Sequence, residues 1–448
     1  MAKIKFLRRR PSPVAVMSSD VDGLDRRSLI YHREFRHLWA AETVSQFGTQ
    51  MSVVALPLMA ALLLDATAFE MGLLAAAGTA PFLLFGLVVG VWVDRLPRRP
   101  LLIAADIARF ALLLVIPISW TLDMLSIELL YSVAFLVGVG TVVFNLAYVS
   151  CLPSVVRRDQ LIEGNGKLEM SASTAQVAGP AAGGALIGWF TGPVAILIDA
   201  ISYLFSAWFI LRMRVTESSL HSVESRERIH HEISTGIAIV LRNATLRAIA
   251  ASGATVSFFG HMFLAVYILF LTGSLGLGAT AVGLVFALGG VGALLGAVIA
   301  GRLAERFGMG PTIIVSYLLF GVGGMAIPVA LSIPDIALPL VLFAEFFQWM
   351  VLVAGTVNVL SLRQTITPDR MLGRVSATTR FLSAGAIPIG SLLGGFLGGV
   401  IGIRETLVVG CFGMLLSAAW FIGSPVWSIR GEVDVVPLDV PALAPAFD

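Results

Sequence analysis

Twelve apolar runs, each about 20 residues or longer, leave this chain few ways to fold. They lie at about 36–64, 70–92, 100–119, 127–151, 168–190, 193–211, 247–272, 279–301, 311–331, 336–360, 377–401 and 405–427. About 20 helical residues cross the hydrocarbon core of a bilayer. Inside that core every backbone N–H and C=O must be satisfied within the segment, which selects the α-helix. Only 13% of the residues are charged and 57% are apolar, whereas a soluble domain carries about a quarter charged residues. Water cannot solvate such a chain, so the lipid bilayer is its first partner. The expected fold class is an all-α membrane protein with twelve transmembrane helices. Short glycine-rich joints, such as Thr272 to Gly278, suit tight turns at the membrane edge. Cys151 and Cys411 fall in or beside apolar runs, so no disulfide framework is expected. Residues 1–34 are basic and polar and contain no apolar run of signal-peptide type.

The Lys/Arg distribution sets an expected orientation. With the N-terminus in the cytoplasm, the inside segments hold Arg33, Arg36, Arg95, Arg98, Arg99, Arg157, Arg158, Lys167, Arg302, Arg306, Arg363, Arg370, Arg374, Arg380 and Arg430. Only Arg404 falls in an outside turn, and only Arg109 falls deep within a span, Arg36 and Arg380 standing at the edges of theirs. An even number of spans places both termini inside, which predicts a multi-pass protein of the cell's inner (cytoplasmic) membrane.

A shift of 211 residues lays the first half of the chain on the second. Arg36 meets Arg247, Gly72 meets Gly283, Gly78 meets Gly289, Gly90 meets Gly301, Arg95 meets Arg306 and Pro100 meets Pro311. Gly179, Gly183, Gly184 and Gly188 meet Gly390, Gly394, Gly395 and Gly399, and Asp94 meets Glu305. An ungapped match of this length predicts two parallel six-helix halves, an arrangement whose transport site lies between the halves. The expected division is an N-terminal segment 1–34, a first half 35–211, a charged central loop 212–246, a second half 247–427 and a tail 428–448 rich in Pro and Asp. Ile233 to Leu241 has the pattern of an interfacial helix, and His230 with His231 reads as part of a solvated loop.

Residues 90–99, Gly-Val-Trp-Val-Asp-Arg-Leu-Pro-Arg-Arg, resemble the loop 2–3 signature of the major facilitator superfamily, with Pro97 where that family usually has Gly. The resemblance implies the major facilitator fold and a gating role for Gly90, Asp94, Arg95, Arg98 and Arg99, with Glu305 and Arg306 in the repeated copy. Gly179-Pro180-Ala181-Ala182-Gly183-Gly184 resembles the antiporter signature of the superfamily's drug:proton branch. Small residues four apart let helices approach closely, and Pro180 removes a backbone hydrogen bond and bends its helix. Ser361 to Gln364, Thr367 to Arg370, Gly373 to Val375 and Asp199 to Ser202 are similar to stretches of macrolide-efflux and enterobactin-exporter permeases. The similarity runs over about residues 35–427. Many drug:proton antiporters carry an arginine in span four; here Phe135 to Ala147 has none, so that relay residue has no counterpart.

Ionisable residues inside spans are costly and therefore functional candidates. Glu42, Glu345 and Asp199 are the proton-coupling candidates, with Glu42 placed first. Burial away from a cation favours the protonated form of a carboxyl group. Gln46 and Thr49 share the Glu42 face, and Gln348 shares the Glu345 face beside Trp349. These four, with Asn145 and His261, are the cavity or substrate candidates. Asp106 and Arg109 stand one turn apart and can pair with each other. The expected function is export of small amphipathic molecules of drug, macrolide or siderophore type by a monomer, in exchange for protons. A solute importer or facilitator on the same fold is the alternative, and a non-transporting membrane receptor or a membrane enzyme would need a soluble domain or a catalytic cluster. No cofactor, metal or nucleic-acid partner is expected, and no phosphate-binding glycine loop appears.

Overall fold

The computed structural model describes residues 29–93, 96–157, 160–214 and 237–430. Among these are twelve helices of 20 residues or more: α1 (Arg33–Leu63), α2 (Ala68–Val93), α3 (Arg98–Thr121), α4 (Ile127–Val155), α5 (Leu161–Trp189), α6 (Gly192–Leu211), α7 (Ala244–Leu269), α8 (Ala279–Phe307), α9 (Met309–Ala330), α10 (Ala337–Ile366), α11 (Asp369–Val400) and α12 (Ile403–Ile422). Eleven are long and apolar enough to cross a membrane, and α5 is the exception. Its small and polar residues lower its hydropathy, but it packs between helices as the others do. Five helices, α4, α5, α8, α10 and α11, overrun their apolar runs by a turn or more at one end. α10 continues to Ile366 and α5 begins at Leu161, because the polar residues at the ends continue the same hydrogen-bond ladder. Of the interfacial segment expected at 233–241, residues 237–242 are helical and 233–236 lie outside the described residues.

The 211-residue repeat is expressed in the packing. Within the first six helices, α1 packs on α5 and α6, α3 on α4 and α6, and α2 on α4. Each contact has its counterpart in the second six: α7 on α11 and α12, α9 on α10 and α12, and α8 on α10. Two main contacts join the two sets, α2 on α11 and α5 on α8, and the repeat exchanges one for the other.

Glycine decides how close those contacts come. A Cβ on Gly184 would stand 2.5 Å from Gly283 Cα and 2.7 Å from Ala279 O. A Cβ on Gly72 would stand 2.6 Å from both Gly395 Cα and Ser391 O. Both glycine pairs lie near the end of the bundle that holds the α1–α2 turn, so both seams are shut there. At the opposite end, Gly86, Gly166, Gly301 and Gly373 sit on the same four helices, and a Cβ on any of them would have no neighbour within 4 Å. The seams diverge toward the end that holds residues 212–214 and 237–243.

The neighbours of Gly184 are backbone atoms that cannot rotate away. We expect Gly184→Val to disfavour the shut end by about 1–3 kcal/mol, as overpacking commonly does. A thiol placed at Thr280, which adjoins Gly188 across the same seam, reports the change. It should react faster with a soluble maleimide in Gly184→Val than in its parent. Equal rates would show that the seam accommodates the side chain.

Candidate functional site

The structure sorts the buried polar side chains into two groups, one in each half. The first surrounds Arg109 on α3, which is 2% exposed. Its guanidinium pairs with Asp106, itself fully buried. The guanidinium carbon also lies 4.1 Å from the Tyr203 ring centroid and 4.3 Å from that of Phe144. An ion pair out of water holds only when its remaining surface is compensated; two aromatic faces supply part of that here, while Asp106 Oδ2 and Arg109 Nε have no hydrogen-bond partner among the described residues. Tyr203 OH lies 2.9 Å from Thr49 Oγ1, which in turn donates to Ser45 O at 2.9 Å. Asp199 accepts from Ser52 Oγ and, at 3.3 Å, from Ser202 Oγ. The residues come from two stripes at helical spacing: Glu42, Ser45, Gln46, Thr49 and Ser52 on α1, and Asp199, Ser202, Tyr203 and Ser206 on α6.

Glu42 is 6% exposed and lies at the edge of this group. Gln46 Nε2 donates to its Oε1 at 2.7 Å, and its Oε2 has no hydrogen-bond partner among the described residues. Gln46 and Thr49 thus join the Arg109 group. Asn145 is exposed on α4 and belongs to neither group.

The second group lines a cavity of about 180 Å³ in the second half. One wall is Ser257, Gly260, His261, Leu264 and Tyr267, at i, i+3, i+4, i+7 and i+10 on α7. Another is Glu345, Gln348, Trp349 and Leu352, at i, i+3, i+4 and i+7 on α10. Val256, Phe263, Phe286, Phe320 and Met414 complete an otherwise apolar lining. Glu345 is 3% exposed, and both its carboxylate oxygens accept neutral donors: Tyr267 OH at 2.9 Å and Trp349 Nε1 at 2.9 Å. His261 Nδ1 donates to Ser257 O at 2.8 Å, which leaves Nε2 as the free ring nitrogen. Gln348 Nε2 contacts Met414 Sδ at 3.8 Å. Trp349, 40% exposed, links the cavity to its surroundings.

Two glycines make room for these polar groups. A Cβ on Gly289 would stand 2.8 Å from Trp349 and 3.2 Å from Glu345 Oε1, and one on Gly324 would stand 2.7 Å from Gln348 Nε2. The residue sequence reasoning missed is Tyr267, although the five-residue α7 stripe was a readable signal for it. Just beyond Tyr267 the helix widens into a π-turn at Phe270–Ser274. Turns of this kind occur frequently at functional sites.

The repeat breaks where the chemistry sits. At an offset of 211, Arg109 corresponds to Phe320, Asp106 to Tyr317, Asp199 to Gly410 and Glu42 to Gly253, while Glu345 corresponds to Ala134. One half fills its interior with an ion pair, and the other leaves a cavity around a carboxylate.

The remaining sequence candidates are placed as follows. Asp94 and Arg95 lie outside the described residues, as do His230 and His231. Gly90 lies in the last turn of α2, which ends at Val93, and Arg98 and Arg99 begin α3. Arg99 donates to Ile210 O at 3.2 Å and Leu211 O at 2.6 Å, tying the start of α3 to the end of α6. Glu305 and Arg306 are exposed in the last turn of α8, Arg306 over the Phe307 ring at 5.4 Å. Gly179 and Gly183 seat α5 against Gln50 and Met51 of α1, Gly184 faces the seam, and Pro180 lies within the helix. Gly390, Gly394 and Gly395 repeat that division of labour on α11.

Known proteins share this organisation. A family described as transmembrane secretion effector, of MFS type, matches residues 28–444. The chain is 26% identical over 408 residues to the uncharacterized MFS-type transporter YfiS of Bacillus subtilis strain 168, covering 88% of this chain and 94% of that one. It is 24% identical to the enterobactin exporter EntS of Citrobacter koseri, covering 86% and 90%. A match of 24% identity to macrolide efflux protein A of Enterococcus faecalis spans 40% of this chain and 56% of that protein. Among solved structures, a bacterial homologue of the human lysosomal transporter Spinster in an inward-facing state superposes with a TM-score of 0.69 at 15% identity, covering 91% of this chain and 99% of that one. A bacterial homologue of the iron transporter ferroportin, also inward-facing, gives 0.69 at 16% identity over 88% and 99%. Helix order, repeat, seams and family match agree: the chain is a non-enzymatic membrane transporter and belongs to the transmembrane secretion effector family of the major facilitator superfamily.

Proposed function

We propose that the protein exports small amphipathic molecules by alternating access, taking its energy from protons that enter as substrate leaves. The observation that carries this reading is Glu345: a buried carboxylate on the wall of a largely apolar cavity, held by two neutral donors. A proton on Glu345 removes a charge that is costly at membrane depth. A bound substrate with an apolar body and a cationic group stabilises the carboxylate instead. Proton and substrate then compete for one group, which is what exchange requires. Glu345 fits this role better than Glu42, which is not among the residues lining the cavity. Asp199 is held by two hydroxyls among α1 and α6 and serves as a further candidate.

Export is supported by the names of relatives, a macrolide efflux protein and an enterobactin exporter. The lining also bears on the alternative importer reading, since a site for a sugar-like solute needs many hydroxyl-binding groups. This cavity offers mainly aromatic, aliphatic and methionine surface. The test is efflux from cells with and without the protein, across a panel of toxic compounds and siderophores. An ionophore that collapses the proton gradient should stop the efflux. Efflux that survives the ionophore would remove the proton from the mechanism.

In this reading both termini face the cytoplasm, the division at 212–246 separates two rocking halves, and the protein works as a monomer in the inner membrane. The shut seams then face outward, so the described conformation opens inward. Asp94 would help to close the cytoplasmic side on the outward swing. Labelling checks the orientation, and Cys151 and Cys411 are buried, so they give little background. A cysteine at Asp335 should react with a membrane-impermeant maleimide added to whole cells, and one at Glu224 should react only after lysis. The opposite pattern would invert the topology.

A further inference from the structure

Four arginines converge on one recess at the open end of the first half. Arg33 of α1, Arg99 of α3 and Arg212 and Arg214 after α6 line a depression of about 390 Å³ together with Leu211 and Met213. The recess is built rather than incidental. The two bonds from Arg99 to the carbonyls of Ile210 and Leu211 fix one wall. Arg214 N–H donates to Glu34 Oε2 at 2.7 Å and fixes another. Arg212 lies over the Trp208 ring at 4.0 Å. Among the described residues no ion pair neutralises Arg33, Arg212 or Arg214. Anchoring by positive charge needs only that arginines ring the membrane edge; it does not bring them together, and like charges repel at this separation.

Converging guanidiniums are the usual receptor for a phosphate, because each offers a fork of donors matched to its oxygens. The rim of the recess also supplies apolar surface. Leu211 is 53% exposed and Trp208 is 42% exposed on the last turns of α6, and tryptophan is enriched at the level of lipid headgroups. We propose that Arg33, Arg99, Arg212 and Arg214 form a binding site for a phosphate-bearing anion, supplied by an anionic phospholipid whose chains lie along α6. Basic pockets between helices at this depth take such headgroups. The site ties α1, α3 and α6 together beside residues 212–214, where the first half ends. It stands apart from the Glu345 cavity and does not depend on the direction of transport.

The experiment uses the full chain purified in detergent. Binding of phosphatidylglycerol, phosphatidylcholine and inorganic phosphate is measured by native mass spectrometry and by the shift of the thermal unfolding midpoint. Each arginine near an anionic lipid contributes about a fivefold factor in affinity, so the triple variant Arg33→Gln, Arg212→Gln, Arg214→Gln should bind phosphatidylglycerol on the order of a hundredfold more weakly than the parent. Arg302→Gln, remote on α8, should bind like the parent. If the triple variant folds poorly, the single variant Arg214→Gln carries the test, with a loss of about fivefold. Retention of phosphatidylglycerol over phosphatidylcholine, lost in the variants, supports a lipid. Retention of inorganic phosphate alone, lost in the same variants, supports the anion site and assigns it to a soluble ligand. Equal binding by parent and variants, or no preference for an anion, overturns the proposal.

Discussion

Glu345→Gln is expected to abolish uphill export and to hold substrate affinity at the low value of the protonated parent. The amide has the shape of the protonated carboxyl group. Its oxygen accepts from Trp349 Nε1 and its NH₂ donates to Tyr267 OH, which rotates to accept, so both contacts at 2.9 Å survive. What disappears is the exchange between charged and neutral forms. Transport measured in proteoliposomes with an imposed pH gradient should fall to the level of empty vesicles. Substrate affinity should fall by about tenfold or more, equivalent to 1.4 kcal/mol, and should no longer change with pH. Glu42→Gln should keep a pH-dependent export. Uphill export by Glu345→Gln with the parent's pH dependence would return the coupling role to Glu42 or Asp199.

The second large effect concerns stability. Arg109→Gln leaves the fully buried Asp106 without its cation and empties the slot between Tyr203 and Phe144. Breaking one side of a buried pair costs about 3–5 kcal/mol, because the remaining charge is neither solvated nor matched. The variant should unfold at a markedly lower temperature in detergent and reach the membrane in smaller amounts. Adding Asp106→Asn removes the stranded charge, so the double variant should recover a large part of the loss. A single variant as stable as the parent would show that solvent reaches Asp106. Unlike Glu345→Gln, which leaves folding intact and removes coupling, this pair of variants moves stability first, so the two sets of measurements separate the roles of the two halves.

The fold was legible because its signals are local and repeated. A run of some 20 apolar residues has one satisfactory backbone in lipid, and the 211-residue offset orders the helices in space as well as in sequence. The glycines of 179–184 were legible as close-packing positions. The Asp106–Arg109 pair was legible because a separation of three residues places both on one helix face. Span edges were less legible, as α5 and α10 show, because a helix does not stop where its hydrophobicity does.

The site was half legible. The sequence placed Glu345, Gln348, Trp349 and His261 among the candidates, and the structure gathers all four around one cavity with Tyr267. It also raised Glu42 to first place on the ground that α1 contains no cation beside it. Glu42 is not among the residues lining that cavity, and which helix faces share a cavity leaves no trace in the spacing of any one helix. By itself, then, the sequence determined the membrane as solvent, the helices, the repeat and the few residues costly enough to need a reason. The tertiary structure decided which of those residues meet across helices, because Glu345 of α10 finds Tyr267 on α7 and Arg109 of α3 finds Tyr203 on α6, contacts that the spacing within one helix does not encode.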